Sequence, residues 1–204
     1  MGALGLNSNF QGTITGSAAV TKTGGGTQIL SGTYNYTKAT TVQAGVLEIT
    51  GTLAGTSAVS ISNGAALSLQ GGSLSVSGNI TNSGLFKIAG SPLLSLTGTF
   101  INQGVLDLIN GPQTLPSTFL NSGIVLYPSS VQITNLTFSN SNGTTLTMQG
   151  YAQHTYQLQK ATSVTAPVTW TNVGSAVTGT GGTLIFTDPT ATGSSTFYRV
   201  QVSP

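Results

Sequence analysis

The chain has 204 residues, and its five Lys or Arg and three Asp or Glu make up 4% of them, where an ordinary soluble domain carries about a quarter. The five cations (Lys22, Lys38, Lys87, Lys160 and Arg199) are dispersed, so the clustered basic patch that nucleic-acid binding needs is absent. No cysteine is present to form disulfides or thiolate metal sites, and no apolar run reaches the ~18 residues of a membrane helix. The formal charge is low and Leu, Val and Ile are plentiful, which is the opposite of the composition that keeps a chain disordered.

Met1 to Gly5 lacks the basic and hydrophobic regions of a signal peptide, so an exported chain would be numbered here from beyond its leader. The stretch from Ala3 to Phe10 reads as extended, uncharged and outside any repeat. Its Leu4, Leu6 and Phe10 form a candidate intersubunit segment.

From residue 45 to 148 a short Leu-x-Leu strand recurs. Its first positions are Leu47, Leu67, Phe86, Leu106, Val125 and Leu146, at intervals of 20, 19, 20, 19 and 21 residues. An asparagine stands four residues before five of these: Asn63, Asn82, Asn102, Asn121 and Asn142, with Gln43 in the corresponding place of the first unit. Asn tolerates tight-turn backbone and carries both a donor and an acceptor. Stacked at one corner of successive coils, these residues are expected to hydrogen-bond as a ladder. The competing explanation is that Asn-Gly and Asn-x-Gly mark hairpin turns, but hairpins do not demand a constant period.

Further apolar positions align in the same frame. Ile61, Ile80, Phe100 and Phe119 lie two before the asparagines, and Val76, Leu96 and Leu115 lie six before. Alternating apolar residues share one face of a strand. The period predicts an all-β chain in which 1–148 form a parallel β-solenoid of about twenty residues per coil, seven coils in all. Glu48, Lys87 and Asp107 occupy the middle of the Leu-x-Leu strand and are predicted to face outward. Lys87 and Asp107 would be an exposed pair worth under ~1 kcal/mol.

Residues 12–51 carry Lys22 before Gly24-Gly25-Gly26-Thr27, then Leu30-Ser31-Gly32, Tyr36-Thr37, Thr40-Thr41-Val42 and Ala44-Gly45-Val46-Leu47. This resembles the autotransporter-associated β-strand repeat (PATR-like) of large bacterial surface passengers. The resemblance implies a right-handed parallel β-helix outside the cell, without catalysis of its own. The triple glycine lacks the Lys and helix of a phosphate loop and reads as a turn.

Residues 149–204 change vocabulary to Tyr156-Gln157-Leu158-Gln159, Trp170-Thr171-Asn172-Val173, Phe186-Thr187-Asp188-Pro189 and Phe197-Tyr198-Arg199-Val200. They resemble a small C-terminal β-sandwich of surface proteins from Verrucomicrobia-like bacteria, which implies an immunoglobulin- or fibronectin-III-like module. Tyr156, Trp170, Phe186 and Phe197 are its expected core.

No enzyme is expected. Glycoside hydrolysis needs two carboxylates about 5–10 Å apart, whereas Glu48 and Asp107 would lie three coils apart, ~14 Å, and Asp188 falls in the other domain. His154, the one histidine, adjoins no nucleophile motif. Three carboxylates and one imidazole are too few to cage a metal, so neither metal nor cofactor is expected. Tyr34, Tyr36 and Tyr151 are either sugar-stacking aromatics or residues packed at turns. The chain is therefore expected to be a secreted or surface-displayed structural protein whose partner is itself, head to tail in a fibre. The alternative is a monomeric adhesin or glycan-binding module, and no membrane insertion is expected in either case.

Overall fold

The computed structural model describes residues 5–111, 113–152, 154–191 and 195–203. The chain divides into two compact units, Met1–Pro128 and Ser129–Pro204, against the expected boundary after residue 148.

The first unit is a parallel β-solenoid of about six turns. The first five coils each contribute one strand to each of three sheets, and the last turns contribute only to the first and third. The first sheet stacks Ser8–Phe10, Thr27–Leu30, Gly45–Ile49, Ala65–Gln70, Leu85–Ala89, Val105–Asp107 and Ile124–Leu126. The second stacks Ile14–Gly16, Thr33–Tyr36, Thr52–Thr56, Ser73–Val76 and Leu93–Leu96. The third stacks Val20–Lys22, Thr40–Val42, Val59–Ile61, Ile80–Asn82, Phe100–Asn102 and Phe119–Asn121.

Alternation along each strand turns every second side chain inward, and parallel register piles like on like. Leu47, Leu67, Phe86, Leu106 and Val125 form one column of the first sheet. Tyr34, Leu53, Leu74 and Leu94 form one of the second. Val59, Ile80, Phe100 and Phe119 form one of the third. The Phe100 and Phe119 rings meet edge to face at 5.1 Å. Leu94, Phe119 and Val125 are partly buried, and each of the fully buried column residues contributes about 1.5–3 kcal/mol.

At several corners one coil leaves no room for a side chain on the next. A Cβ on Gly104 would stand 2.1 Å from the Gly84 carbonyl oxygen, and one on Gly123 would stand 2.1 Å from that of Gly104. At a second corner, Gly51 bears the same relation to Gly32, also at 2.1 Å. These glycines are needed for space: the carbonyl of the preceding coil occupies the place of a side chain.

The corner before each first-sheet strand varies in length, which displaces one element of the sequence frame. Ile61, and not Asn63, is the Cα partner of Asn82. Ser62-Asn63-Gly64-Ala65 forms a β-turn closed by Ala65 N–H donating to Ser62 O at 3.0 Å, with Gly64 at φ +77°. The turn adds two residues, so Asn63 is exposed outside the column and Val59, not Ile61, stacks on Ile80.

The sixth Leu-x-Leu segment is not a coil. Ile133–Ser139 pairs antiparallel with Gly143–Gln149, and Asn142 sits in the turn between them. Here Asn-Gly marks a hairpin, as the competing explanation held, and Leu146 belongs to the second unit. A three-residue loop followed by a left-handed Gly143 (φ +74°) is a common hairpin solution. Its length fell by coincidence close to the solenoid period.

The second unit contains antiparallel sheets. Ile133–Ser139, Gly143–Gln149 and Thr183–Asp188 form one. Thr155–Ala161 pairs with Thr171–Asn172, Val177–Thr178 and Phe197–Ser203 in the other. Leu146, Met148, Tyr156, Leu158, Val173, Leu184 and Phe186 make its core. Trp170 and Phe197, expected there, lie outside it. Phe197 is exposed, and the Arg199 guanidinium covers the Trp170 ring at 4.5 Å.

The corner packing predicts that Gly104→Ala lowers unfolding free energy in urea by about 1–3 kcal/mol, the usual cost of overpacking. Gly25, with nothing within 4 Å of its added Cβ, serves as the control, and Gly25→Ala should stay within about 0.5 kcal/mol. Equal losses in both variants would show that the corners do not limit coil spacing.

Candidate functional site

The solenoid interior holds a polar column as well as apolar ones. The last position of the third-sheet strands reads Lys22, Val42, Ile61, Asn82, Asn102 and Asn121 along the stack. Asn82 Nδ2 donates to Asn102 Oδ1 at 2.7 Å, and Asn102 Nδ2 donates to Asn121 Oδ1 at 2.7 Å. Each amide also caps the corner ahead of it: Asn82 Nδ2 reaches Val105 O at 2.9 Å and Asn102 Nδ2 reaches Ile124 O at 3.1 Å. The ladder thus joins three of the five asparagines marked in the sequence. Asn63 and Asn142 stand apart from it for the reasons given above. It stops at Ile61, which offers no donor, and Asn82 Oδ1 is left buried without a partner.

Lys22 closes the same column at its other end. Its side chain is fully buried, and Nζ donates to the carbonyls of Thr23 (2.9 Å), Gly24 (2.6 Å) and Ala44 (3.0 Å). Three acceptors match the three ammonium hydrogens, and burial pushes its pKa below the ordinary value. Nearby, Tyr36 OH, Thr40 Oγ1 and Thr56 Oγ1 form a buried chain at 2.7 and 2.9 Å, ending on the Lys38 carbonyl. Gly55, at φ +87°, makes the bulge that aligns Thr56 with Val76. Burial first, and the neighbouring Tyr34 second, raise the Tyr36 hydroxyl to about 12 against the opposing Thr40 hydrogen bond. Tyr34 and Tyr36 are therefore interior residues and not sugar-stacking platforms. Tyr151 is half-buried, and its hydroxyl donates to Ser130 O.

The N-terminal segment is part of the solenoid from Ser8 onward. Ser8–Phe10 is in register with Gln28–Leu30, and Ser8 Oγ donates to Gln28 Oε1 at 2.7 Å. Phe10 stacks on Tyr34 with ring centroids 5.9 Å apart, while Tyr34 OH donates to the Phe10 carbonyl. Phe10 thus belongs to the first coil and packs on the second instead of lying in a free arm. Leu6 is 70% exposed, and Leu4 lies outside the described residues. Ser8–Phe10, Ile14–Gly16 and Val20–Lys22 are each the terminal strand of their sheet.

Charge placement differs from the sequence expectation. Lys87 and Asp107 are Cα partners on adjacent coils, but both are buried, Asp107 to 1% exposure. Alternation assigns a side chain to one side of a sheet and does not say whether that side meets water. Burial pushes the Lys87 amine down, opposed by the charges of Asp107 and Glu48, while Ile109 N–H donates to Asp107 Oδ1 at 3.1 Å. A surface-pair magnitude therefore does not apply to Asp107.

In the second unit the buried Asp188 carboxylate accepts from Lys160 Nζ (2.9 and 3.2 Å), Tyr198 OH (2.9 Å), Thr190 Oγ1 (2.8 Å) and Thr190 N–H (3.1 Å). Burial alone would raise its pKa, but these donors outweigh it and hold the group at about 2. Beside them a cleft of about 330 Å³ is lined by Lys160, Thr162, Thr169, Thr171, Thr190 and Thr196. His154 is buried, its Nδ1 3.3 Å from Ser203 O. Among the described residues no three His, Cys, Asp or Glu gather in a way that would hold a metal ion, and no helix is long and apolar enough to cross a membrane.

Residues 20–49 match the Passenger-associated-transport-repeat family. They run from Val20 through the buried Lys22 and the two interior tyrosines to Ile49. No curated protein and no solved structure matches the chain.

Removing the middle rung of the ladder, Asn102→Ala, should cost about 2 kcal/mol in urea unfolding, because buried partners lose their hydrogen bonds. Asn63→Ala, on an exposed turn, should stay within about 0.5 kcal/mol. Similar costs for the two would rule out a selective contribution from the ladder. For Asp188 the folded pKa lies below the ordinary 3.8. Its stabilisation is present above that value and is lost as pH falls from about 4 towards 2. Asp188→Asn should flatten the acid limb of the stability profile in that window, and an unchanged limb would show that this cluster does not set acid sensitivity.

Proposed function

We propose that this chain is an extracellular structural protein, a non-catalytic subunit that assembles head to tail into a surface filament. The observation that carries this is the N-terminal end of the solenoid, where all three sheets finish on a terminal strand and the nearest formal charge is the buried Lys22. Strand edges without charge or proline template further pairing, and a head-to-tail contact that does not close propagates into a fibre. The passenger-type repeat at residues 20–49 suggests a surface or secreted protein, in keeping with a mechanical and not a chemical task. In this proposal the solenoid is a right-handed rod, and the second unit acts as a small immunoglobulin-like sandwich at the joint, with the N-terminal segment of the next copy added to it.

The threonine-lined cleft beside Lys160 favours a second possibility, a monomeric adhesin in which hydroxyl groups and one ammonium bind a glycan. The two differ in one observable. The purified chain should form filaments visible by negative-stain electron microscopy, with growth that depends on protein concentration and is insensitive to added salt, because so few charges are present to be screened. A monodisperse monomer at high concentration by light scattering would exclude the filament and leave the adhesin.

A further inference from the structure

The sequence holds three Asn-Gly pairs, Asn63-Gly64, Asn110-Gly111 and Asn142-Gly143, and the fold gives them different surroundings. Asparagine before glycine is the pair most open to a spontaneous cyclisation that ends in hydrolysis of the side-chain amide. Glycine has no side chain to shield its main-chain nitrogen, and its backbone is permissive. That nitrogen attacks the asparagine Cγ wherever the two atoms can be brought together. Packing decides where they can.

At Asn110-Gly111 the glycine is locked. Gly111 is buried, its N–H donates to Leu108 O at 3.4 Å, and a Cβ on it would stand 2.7 Å from Ile88 O. The Asn110 carbonyl accepts from Gly90 N–H at 2.9 Å, and Asn110 Oδ1 is buried. At Asn142-Gly143 the asparagine is exposed but the glycine is not. Gly143 opens the strand Gly143–Gln149 in register with Ser139, and a Cβ on it would collide with Asp188 O. The ladder residues Asn82, Asn102 and Asn121 precede Ser83, Gln103 and Ser122, and their amides are engaged with one another.

Asn63-Gly64 differs on each count. Both residues are exposed, and a Cβ on Gly64 would meet nothing within 4 Å. They are the central residues of the Ser62–Ala65 turn, whose hydrogen bond uses the Ala65 N–H and leaves the Gly64 nitrogen outside it. Ile61 before the turn is in register with Asn82, and Ala65 after it with Gly45. The two residues between can rearrange without breaking a ladder.

We propose that Asn63 is a site of spontaneous modification, converting to aspartate and isoaspartate in the folded chain while Asn110 and Asn142 persist. The Gly64 nitrogen gives up its proton and bonds to Asn63 Cγ. The Cγ–Nδ2 bond breaks, and Nδ2 leaves as ammonia with that proton. Water then opens the resulting succinimide at Cγ to give aspartate, or at the main-chain carbonyl carbon to give isoaspartate. The net exchange is one water consumed for one ammonia released, with no change of oxidation state. Either product adds a negative charge to a chain that has only three Asp or Glu. Isoaspartate also adds a carbon to the main chain, which the turn absorbs because Asn63 already lies outside the column.

The test keeps the purified chain at mildly alkaline pH and follows it by isoelectric focusing and by mass spectrometry of its peptides. With a formal charge of +2, each conversion is a visible step to the acidic side. The expected result is an acidic band that grows with time, an amide-to-acid mass change confined to the peptide containing Asn63, and loss of that band in Asn63→Ser. In guanidinium, where the fold no longer separates the sites, all three Asn-Gly peptides should change at similar rates. An acidic band that persists in Asn63→Ser would overturn the proposal, as would Asn110 or Asn142 keeping pace with Asn63 in the folded chain. An Asn63 peptide that changes in guanidinium but stays intact in the folded chain would overturn it too.

Discussion

The spacing of one coil upon the next is the constraint on which the solenoid depends. Parallel backbones hydrogen-bond at about 4.8 Å, and at the corners this brings the carbonyl of one coil into the place of the next residue's Cβ, as between Gly84 and Gly104. Glycine is the residue without an atom there. Once the corners are fixed, register follows, and register in turn makes columns of like side chains. Where a corner lengthens, as at Ser62–Ala65, the turn closes on itself and the sheets stay in register.

The polar residues inside the solenoid show what the interior tolerates. A buried donor or acceptor costs free energy unless it is paired, and three different solutions appear. Lys22 spends its three hydrogens on carbonyls, the Tyr36, Thr40 and Thr56 hydroxyls pair in sequence, and the asparagines pass donor to acceptor along the stack. The last arrangement has a direction. Its amide hydrogens all point along one way of the column, so at the Asn82 end it can lengthen only by a residue that offers a donor in register. The unpartnered Asn82 Oδ1 marks where the column turns apolar at Ile61.

Charge is used sparingly, and half of it lies inside. Lys22, Lys87, Asp107 and Asp188 are all buried, which leaves the surface even less charged than composition indicates. Hydroxyls and amides solvate the protein, and with little long-range repulsion copies can approach at short range. The surface is low in charge, each solenoid sheet ends on a terminal strand, and Leu136 and Phe138 of the second unit are half exposed.

The period of Leu-x-Leu, Gly and Asn pointed by itself to a parallel solenoid, to the Leu47, Leu67, Phe86, Leu106 and Val125 column and to the register of Asn82, Asn102 and Asn121, because stacking repeats similar side chains at a nearly constant interval. The tertiary structure alone decided what a period does not encode. Corner lengths vary, which removed Asn63 from the column, and an Asn-Gly turn serves a hairpin as well as a coil, which moved Asn142 and Leu146 into the second unit. Alternation names the side of a sheet but not what covers it, so Lys87 and Asp107 read as exposed and are buried, while Leu136, opposite the core residue Leu146, is half exposed. Coverage depends on residues distant in sequence, and that is the reason only the folded chain reveals it.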